Sequence, residues 1–288
     1  MGNPKQNREG SAYLLVLLVM ISSLSLVSST QHVLIRRTRQ LEQTQVDAAL
    51  RNALLLATQE AGRLLLEDED PTVDGLQDAW MLPLEYQSTD GVSVFLKIED
   101  AQTRFNLNHL SLSVPRGFPK TWMELFQDLV QSSVLEIEPQ RFQEFQQQID
   151  EEEIWFENPE ALRLYLPELS QWIQESDLVS ALPRPSERPL PLNINTVNPA
   201  VLSAVVGTSM DGWVESVLKV RSTTPIRNIS AISGSLPPQL QPLLSELFDV
   251  RSELFFARIV AQKDQSEANL SVLFRRSHEG VEVLRCQW

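Results

Sequence analysis

Residues 11–35, SAYLLVLLVMISSLSLVSSTQHVLI, carry no formal charge. The 25 residues can cross a bilayer as one helix, because a transmembrane helix needs about 20 mostly apolar residues. Residues 36–66 follow without proline and with a single glycine, Gly62, so we expect the helix to continue. A helix over 11–66 would be about 84 Å long, far more than a bilayer requires. Its second half is therefore predicted to lie in water against a partner surface.

Apolar residues recur at helical spacing along this second half and predict the stripe that packs. The predicted stripe consists of Leu41, Val46, Ala49, Ala53, Leu56 and Leu64.

A short polar leader, MGNPKQNREG, precedes the apolar run and ends at Gly10. A secretory signal peptide would have a shorter apolar region followed by a small-residue cleavage site, and no such site is evident after this run. The leader instead resembles the class III signal of type IV pilins and pseudopilins. There, a membrane peptidase cuts after the glycine on the cytoplasmic side, and the apolar helix is kept. By this resemblance the cut falls between Gly10 and Ser11, and Ser11 becomes the N-methylated terminus.

Charge is distributed unevenly along the chain, which has 24 basic and 38 acidic residues. Residues 67–288 hold 17 basic and 34 acidic residues, a net charge of −17. An acidic body repels phosphate backbones, so nucleic acid is not expected as a partner. Arg36, Arg37 and Arg39 follow the apolar run, and by the positive-inside rule they would place the body in the cytoplasm. That expectation conflicts with the pilin-like signal.

The body alternates between strand and helix signals. Strands are predicted at 92–98, 252–262, 269–276 and 281–287, the last two joined by a turn at 277–280. Helices are predicted between them, at 121–133, 139–149, from Pro159 past Trp172, at 198–206 and 211–221, and from Pro237 to about Phe248. Residues 181–192 hold four prolines and are predicted to form an extended linker.

Two asparagine-rich motifs lie far apart in the body. The first is Asp100 with RFNLN at 104–108, and the second is NINT at 193–196. In this order, with the leader and the C-terminal stretch 252–288, they resemble the K-type minor pseudopilins of the type II secretion system (the GspK family). The signature positions carried over are Asp100, Phe105, Asn106, Asn108, Asn193, Asn195 and Thr196.

The resemblance implies an α+β fold, in which a long pilin-like N-terminal helix packs on a small antiparallel sheet with a large α-helical insertion similar to sterile alpha motifs. The implied organisation is a leader at 1–10, a transmembrane half-helix at 11–35, a periplasmic half-helix at 36–66, a first head segment at 67–104, an insertion at 105–250 in two parts (about 105–182 and 190–250), and C-terminal strands at 251–288.

Most pilins carry glutamate at the fifth mature residue, which here is Leu15. The K-type subunit lacks this glutamate. The resemblance therefore implies a non-enzymatic subunit in the bacterial inner membrane with its bulk in the periplasm. It would lie at the pseudopilus tip and initiate assembly with I-, J- and H-type minor pseudopilins. A prepilin peptidase and the inner-membrane assembly platform are further implied partners, and calcium is the one implied ion.

Three alternatives remain open at this stage. Residues 193–222 resemble a helix-hairpin-helix of competence-type DNA receptors, although Asp211 lies in the hairpin and few cations surround it. The acidic run 150–153 could supply paired carboxylates to an enzyme, but a solvated helix end explains it more simply. A generic single-pass protein with an adaptor domain is the third hypothesis.

Individual residues give further expectations. No histidine spacing suits a metal site, and Cys286 is expected to be partly buried. Four tryptophans are expected in the core or at an interface: Trp122, Trp155, Trp172 and Trp213.

Overall fold

The computed structural model describes residues 6–133, 137–183, 188–234, 236, 238 and 240–288, and the side chains of all of these except 6–12 and 208. Its largest element is a single helix, α1, at Gln6–Leu66. This helix has 61 residues, which corresponds to roughly 90 Å. Residues 13–45 are all exposed, and the segment that begins at Tyr13 is long and apolar enough to cross a membrane. One helix therefore joins a bare apolar half to a half that packs on the rest of the protein.

Seven further α-helices follow α1 in the described part of the chain: α2 at Trp122–Gln131, α3 at Pro139–Glu152, α4 at Ser170–Ser176, α5 at Pro199–Val206, α6 at Asp211–Thr223, α7 at Ser230–Ser233 and α8 at Leu244–Leu247. Short 3-10 helices lie at Ala79–Met81, Ala101–Thr103, Leu107–His109, Pro159–Leu164, Pro167–Leu169, Thr208–Met210 and Gln241–Leu243. The strands are β1 at Leu84–Gln87, β2 at Ser93–Asp100, β3 at Phe105–Asn106, β4 at Val179–Ser180, β5 at Leu192–Asn193, β6 at Phe248–Asp249, β7 at Leu254–Lys263, β8 at Ser266–Ser277 and β9 at Gly280–Gln287.

Five strands form one antiparallel sheet in the order β1-β2-β7-β8-β9. The expected α+β fold is confirmed, as is the turn between the last two strands. β1 was not predicted, because its four residues are half-buried and half-exposed in alternation and give little hydrophobic signal. Cys286 lies on the outer strand β9 and is exposed, so its predicted partial burial is wrong.

The second half of α1 packs on one face of this sheet, against β2, β7 and β8. Buried residues of α1 recur every three or four positions, which is the helical period: Ala49, Leu50, Ala53, Leu54, Ala57, Ala61 and Leu65. Two members of the predicted stripe, Leu41 and Leu56, are exposed instead. Leu41 precedes the sheet, and Leu56 lies on the opposite side of the helix from Leu54.

The sheet contributes the alternate residues of its inner face to the same core. Val94, Leu96 and Ile98 of β2 are buried, whereas the residues between them are only partly so. Trp80 is also buried and contacts Phe255 edge-on, with ring centroids 5.1 Å apart. Its place in the core was not predicted from the sequence. This core belongs to the head, which consists of α1 and the five-stranded sheet.

The helices between β2 and β7 form a second core, separate from that of the head. Phe105, Trp122, Phe126, Phe142 and Trp172 form a chain of ring contacts within it. Helix α2 begins as predicted, because Thr121 and Glu124 form a reciprocal capping box.

The predicted helix after Pro159 is wrong beyond its first turn. Asn158 caps that turn. Pro167 interrupts the segment, which consists of two 3-10 helices and the short α4. The helix predicted from Pro237 begins outside the described residues, and its described part is limited to residues 241–247. Trp122, Trp172 and Trp213 are buried, but Trp155 is 42% exposed and is not a core residue.

Two short parallel strand pairs bring distant parts of the insertion together. Phe105 of β3 pairs with Val179 of β4, and Leu192 of β5 pairs with Phe248 of β6. Each pair closes one group of helices at its base, so that residues 105–180 and 192–249 each start and finish beside the sheet.

The insertion stands at the end of the sheet that is remote from the membrane span. Gly62, near the end of α1, faces the Phe274 ring: a Cβ built on this glycine would lie 3.7 Å from Phe274 Cε1. Phe274 pairs with Phe255 on the neighbouring strand. Phe255 in turn pairs with Asp100, the last residue before the insertion. The chain therefore enters and leaves the insertion where α1 ends.

A matched pair of leucines tests this packing of α1. Leu54 is fully buried, so Leu54→Ala is expected to lower the free energy of unfolding by about 2–5 kcal/mol through lost burial and the cavity left behind. Leu55 is 55% exposed, and Leu55→Ala is expected to cost less than about 0.5 kcal/mol. Denaturant unfolding of the full chain in detergent micelles, followed by tryptophan fluorescence, measures both. Equal effects would contradict the packing of α1 on the sheet.

Candidate functional site

The predicted site residues lie in two places, the membrane half of α1 and the junction between head and insertion. Gly10 and Ser11 lie inside α1, which begins at Gln6, so the expected cleavage point is within a helix. Leu15 is 64% exposed and belongs to the bare apolar half. Three of the seven signature residues, Asp100, Asn193 and Thr196, meet at the junction where the chain passes from β2 into the insertion and back to β7. The other four lie within the insertion: Phe105, Asn106, Asn108 and Asn195.

Asp100 is the centre of this junction and is 1% exposed. Its Oδ2 accepts hydrogen bonds from the hydroxyl of Thr196, from Ser252 Oγ at 2.5 Å and from Asn193 Nδ2 at 3.1 Å. Its Oδ1 accepts the backbone N–H of Gln102 at 2.8 Å. Burial raises the pKa of Asp100, while these four donors lower it. The carboxylate is held by neutral donors and joins three chain segments: the end of β2, the NINT motif and the approach to β7.

A second buried carboxylate, Asp74, lies beside the first and was not identified from sequence. Its two oxygens accept Nη2 of Arg276 at 2.5 and 2.6 Å, and its Oδ2 accepts the N–H of Ser252 at 2.7 Å. Burial raises the pKa of Asp74 to about 6, against the opposing effect of the Arg276 charge. Arg276 also donates to Asp68 at 2.8 Å and lies 4.6 Å from the centre of the Phe255 ring.

We call the cluster of Asp68, Asp74, Asp100, Asn193, Thr196, Ser252 and Arg276 the polar junction. Asn193 connects its two halves, because Nδ2 lies within hydrogen-bonding distance of Asp100 Oδ2, Ser252 Oγ and the Asp74 carbonyl. The segment after α1, β2, the NINT motif, Ser252 and β8 are thus tied together at one buried point. Asp74 stands in the acidic stretch 67–75, but nothing in its spacing distinguishes it from the exposed acids around it.

The asparagines of the first motif bind backbone rather than a ligand. Asn106 Oδ1 accepts the N–H groups of Asn108 and Leu182, and Asn106 Nδ2 donates to the Leu182 carbonyl at 3.4 Å. Asn108 accepts the N–H of Phe156 at 2.8 Å and donates to the carbonyls of Phe156 and Leu182. An amide side chain both donates and accepts, so it can satisfy a buried peptide as a neighbouring strand would. Phe105 packs among the rings of the insertion core.

Asn195 of the second motif plays the corresponding part in the other half of the insertion. Its Oδ1 accepts the N–H of Ile226 at 2.7 Å, and its Nδ2 donates to the Ile226 carbonyl at 3.0 Å. Its own N–H donates to Asn193 Oδ1 at 2.9 Å. The arrangement around the signature residues therefore fastens loops of the insertion and presents no reacting group to solvent.

The three acids Asp68, Asp74 and Asp78 could together hold a cation, because one ligand atom of each lies within 4.8 Å of the others. The donor set does not fit calcium, however. Arg276 already takes both oxygens of Asp74 and one of Asp68, and Asp78 Oδ2 accepts the N–H of Gly75 at 2.8 Å. The guanidinium supplies the positive charge at the position where a cation would bind.

The segment that resembles a helix-hairpin-helix forms α5 and α6, joined through Gly207 and a 3-10 turn. Two of its three nearby cations, Arg221 and Arg227, are engaged within the protein, and Lys219 is exposed. Arg221 is buried and donates to the Ile194 carbonyl at 3.0 Å, and Arg227 pairs with Asp70 at 2.7 Å. Val201, Val205, Trp213 and Val217 face the insertion core. This geometry does not favour a phosphate-binding hairpin.

Comparison with known proteins gives two informative matches. The chain is 25% identical to type II secretion system protein K of Aeromonas hydrophila, over 98% of this chain and 97% of that protein. It also matches a chain of the crystal structure of the GspK-GspI-GspJ complex from the type 2 secretion system of enterotoxigenic Escherichia coli. That match has a TM-score of 0.63 and 17% identity and covers 88% of this chain and 98% of the other. No protein-family model matches the sequence.

A membrane-spanning helix whose second half packs on an antiparallel sheet defines a pilin-like, single-pass membrane subunit. The similarity over nearly the whole chain and the shared fold narrow this class further. Together they support a K-type minor pseudopilin of the type II secretion system. Its role is that of a minor pseudopilin in protein secretion, anchored in the inner membrane with its bulk in the periplasm, and the DNA-receptor alternative is not favoured.

Two neighbouring arginines test the polar junction. Arg276→Met leaves the Asp74 carboxylate buried without its cation, so we expect a loss of about 3–5 kcal/mol in the free energy of unfolding. Arg275→Met removes an exposed arginine that pairs with Glu282, and we expect a loss below about 1 kcal/mol. Chemical denaturation of the two full-length variants beside the unmodified chain measures the difference. Similar losses in both variants would show that the buried pair does not hold the junction.

Proposed function

We propose that this minor pseudopilin occupies the tip of the periplasmic pseudopilus, where it initiates assembly and supports the export of folded proteins across the outer membrane. Its contribution is structural and non-catalytic. The observation that carries the proposal is the position of the insertion, which stands beyond the end of α1 that is remote from the membrane.

A pilin-like filament grows by packing the long helices side by side, with each new subunit entering below the previous one. The insertion lies beyond the end of α1, so we expect it to occupy the space that a further subunit would need for its own head. The bulk of the insertion therefore suits a subunit with neighbours below it and none above. The polar junction supports this position, because its buried ion pair and carboxylate tether hold the insertion to the end of the sheet.

Leu15 supports the same position through electrostatics. In pilins the glutamate at this position is thought to neutralise the terminal amine of the subunit ahead. A tip subunit has no subunit ahead, and an unpaired carboxylate in hydrocarbon costs a few kcal/mol. Leucine avoids that cost and leaves an uncharged anchor from residue 11 to residue 35.

The partners we propose are the I- and J-type minor pseudopilins, since the structural match is to a chain from a GspK-GspI-GspJ complex. The H-type subunit, a prepilin peptidase and the inner-membrane assembly platform extend this proposal. The surface that we assign to the partner helices is the exposed side of α1, where Leu41, Leu55 and Leu56 are 64%, 55% and 57% exposed. Packing on a neighbouring helix would cover these side chains.

The leader glycine gives the first test of this function. Gly10→Val is expected to leave the leader attached and to block secretion, because the peptidase would no longer accept the residue before the cut. Gly2→Val makes the same substitution away from the cut and should leave processing and secretion unchanged. Intact mass of the protein extracted from membranes shows whether the chain starts at Ser11, and the amount of secreted protein in the medium reports function. Normal secretion with an uncut Gly10→Val chain would refute the proposal.

A pair of glutamate substitutions tests the tip position separately. At the tip, Leu15→Glu and Leu17→Glu should be equally harmful, each costing up to about 3 kcal/mol of membrane insertion, because no amine waits for either carboxylate. At an interior position the amine of the subunit ahead would neutralise Glu at 15 but not at 17. The measurement is the amount of each variant integrated into the membrane when co-expressed with the other minor pseudopilins. Selective tolerance of Leu15→Glu would place the subunit inside the filament.

A further inference from the structure

Three arginines, Arg36, Arg37 and Arg39, follow the uncharged run directly, and the role of a minor pseudopilin does not account for them. We call them the arginine collar. All three are exposed, and none forms an ion pair with any residue in the described part of the chain. In a helix that turns by about 100° per residue, these positions span an arc of about 160°, so the charges cover one broad side of α1.

The height of the collar along α1 matches one particular layer of the membrane. Residues 11–35 extend over about 37 Å at about 1.5 Å per residue. A bilayer measures about 40–45 Å with its headgroup layers and about 30 Å across its hydrocarbon. With Ser11 at the cytoplasmic headgroups, the collar lies among the headgroups of the opposite, periplasmic leaflet.

We propose that the arginine collar binds the phosphate groups of anionic phospholipids in the periplasmic leaflet of the inner membrane. A guanidinium presents a planar fork of N–H donors that matches a phosphate, and three of them on one broad side of a helix can contact neighbouring headgroups at once. The collar is continuous with the membrane span, and its charge is opposite to that of the lipid.

The rest of the chain explains why a lipid is favoured over a protein surface. The first buried residue of α1 in the described part of the chain is Ala49, which lies ten residues, or about 15 Å, beyond the collar, so the head does not reach the collar. The head is also acidic and is repelled by an anionic membrane surface. The collar therefore attracts the lipid surface at the foot of the helix while the head stands away from it, which fixes the height of α1 before neighbouring helices pack on it.

The experiment uses the full-length processed protein in nanodiscs of equal parts phosphatidylglycerol and phosphatidylcholine. Native mass spectrometry counts the lipids that remain bound after release. Each arginine near a charged surface is worth about 1 kcal/mol, so the unmodified chain is expected to favour phosphatidylglycerol by roughly tenfold to a hundredfold. Replacing all three collar residues by Gln should abolish the preference, and replacing all three by Lys should retain most of it.

Arg51→Gln is the matched control, because Arg51 is an exposed arginine of the same helix about 18 Å beyond the collar. It should retain phosphatidylglycerol as the unmodified chain does. The proposal is overturned if the unmodified chain shows no preference or if the triple Gln variant keeps it. It is equally overturned if the triple variant keeps its lipids but no longer binds the other minor pseudopilins, since the collar would then serve a protein partner. The inference rests on the membrane anchor and not on the tip position; a failed anchor would be recognised because no protein would enter the nanodiscs.

Discussion

The buried ion pair of Asp74 with Arg276, together with the tethered carboxylate of Asp100, holds the two halves of this protein in one arrangement. Asp74 follows α1, Asp100 ends β2, and Arg276 lies on β8, so three separate stretches of chain converge there. Charges removed from water are stabilised only when their partners are in place. The position of a large insertion on a small sheet therefore depends on these polar side chains and on a small apolar cluster that joins the two. This cluster consists of Ala101, Leu182 and Leu190 with Leu254 and Leu273 of the sheet.

This dependence gives the signature residues a physical meaning. Asn106, Asn108 and Asn195 each bracket a peptide group of a distant loop, and Asn193 and Thr196 bind Asp100. None of them presents a reacting group to solvent. The role of these residues is to build a rigid body on the end of a long helix. The same cluster contains three acids that resemble a cation site, and an arginine inside it meets the need for positive charge without a metal.

The long helix divides the work of the protein along its length. Its first half is bare and apolar, the collar follows, and the second half packs on the sheet through small and branched residues. The alanines at 53, 57 and 61 allow α1 to approach the sheet closely, while the leucines at 50, 54 and 65 fill the space between the helix and the sheet. A single continuous helix can therefore transmit the position of the membrane anchor to the insertion at its far end.

Elements whose signals are local could be predicted from the amino-acid sequence alone. They include the uncharged run 11–35, the proline-free continuation to 66, the alternation in β2 and the caps at Asn158 and Asn198, because hydrophobic period and capping act between near neighbours. The packing stripe was only partly readable. Leu41 and Leu56 are apolar and at helical spacing, yet both are exposed. The length and position of the sheet determine which side of α1 is buried and over which residues.

How the motifs work depends on contacts between distant segments of the chain, which local sequence signals do not reveal. Asp100, Asn193 and Thr196 were singled out as members of two distant motifs, but their contact with each other needs the chain to close over more than ninety residues. Asp74 and Arg276 carried no signal at all, since one acid among many and one arginine of an adjacent pair differ only in burial. Burial and long-range pairing arise when separate segments meet. For that reason the sequence determined the anchor and most of the elements, whereas the tertiary structure decided which charges became buried and what they join.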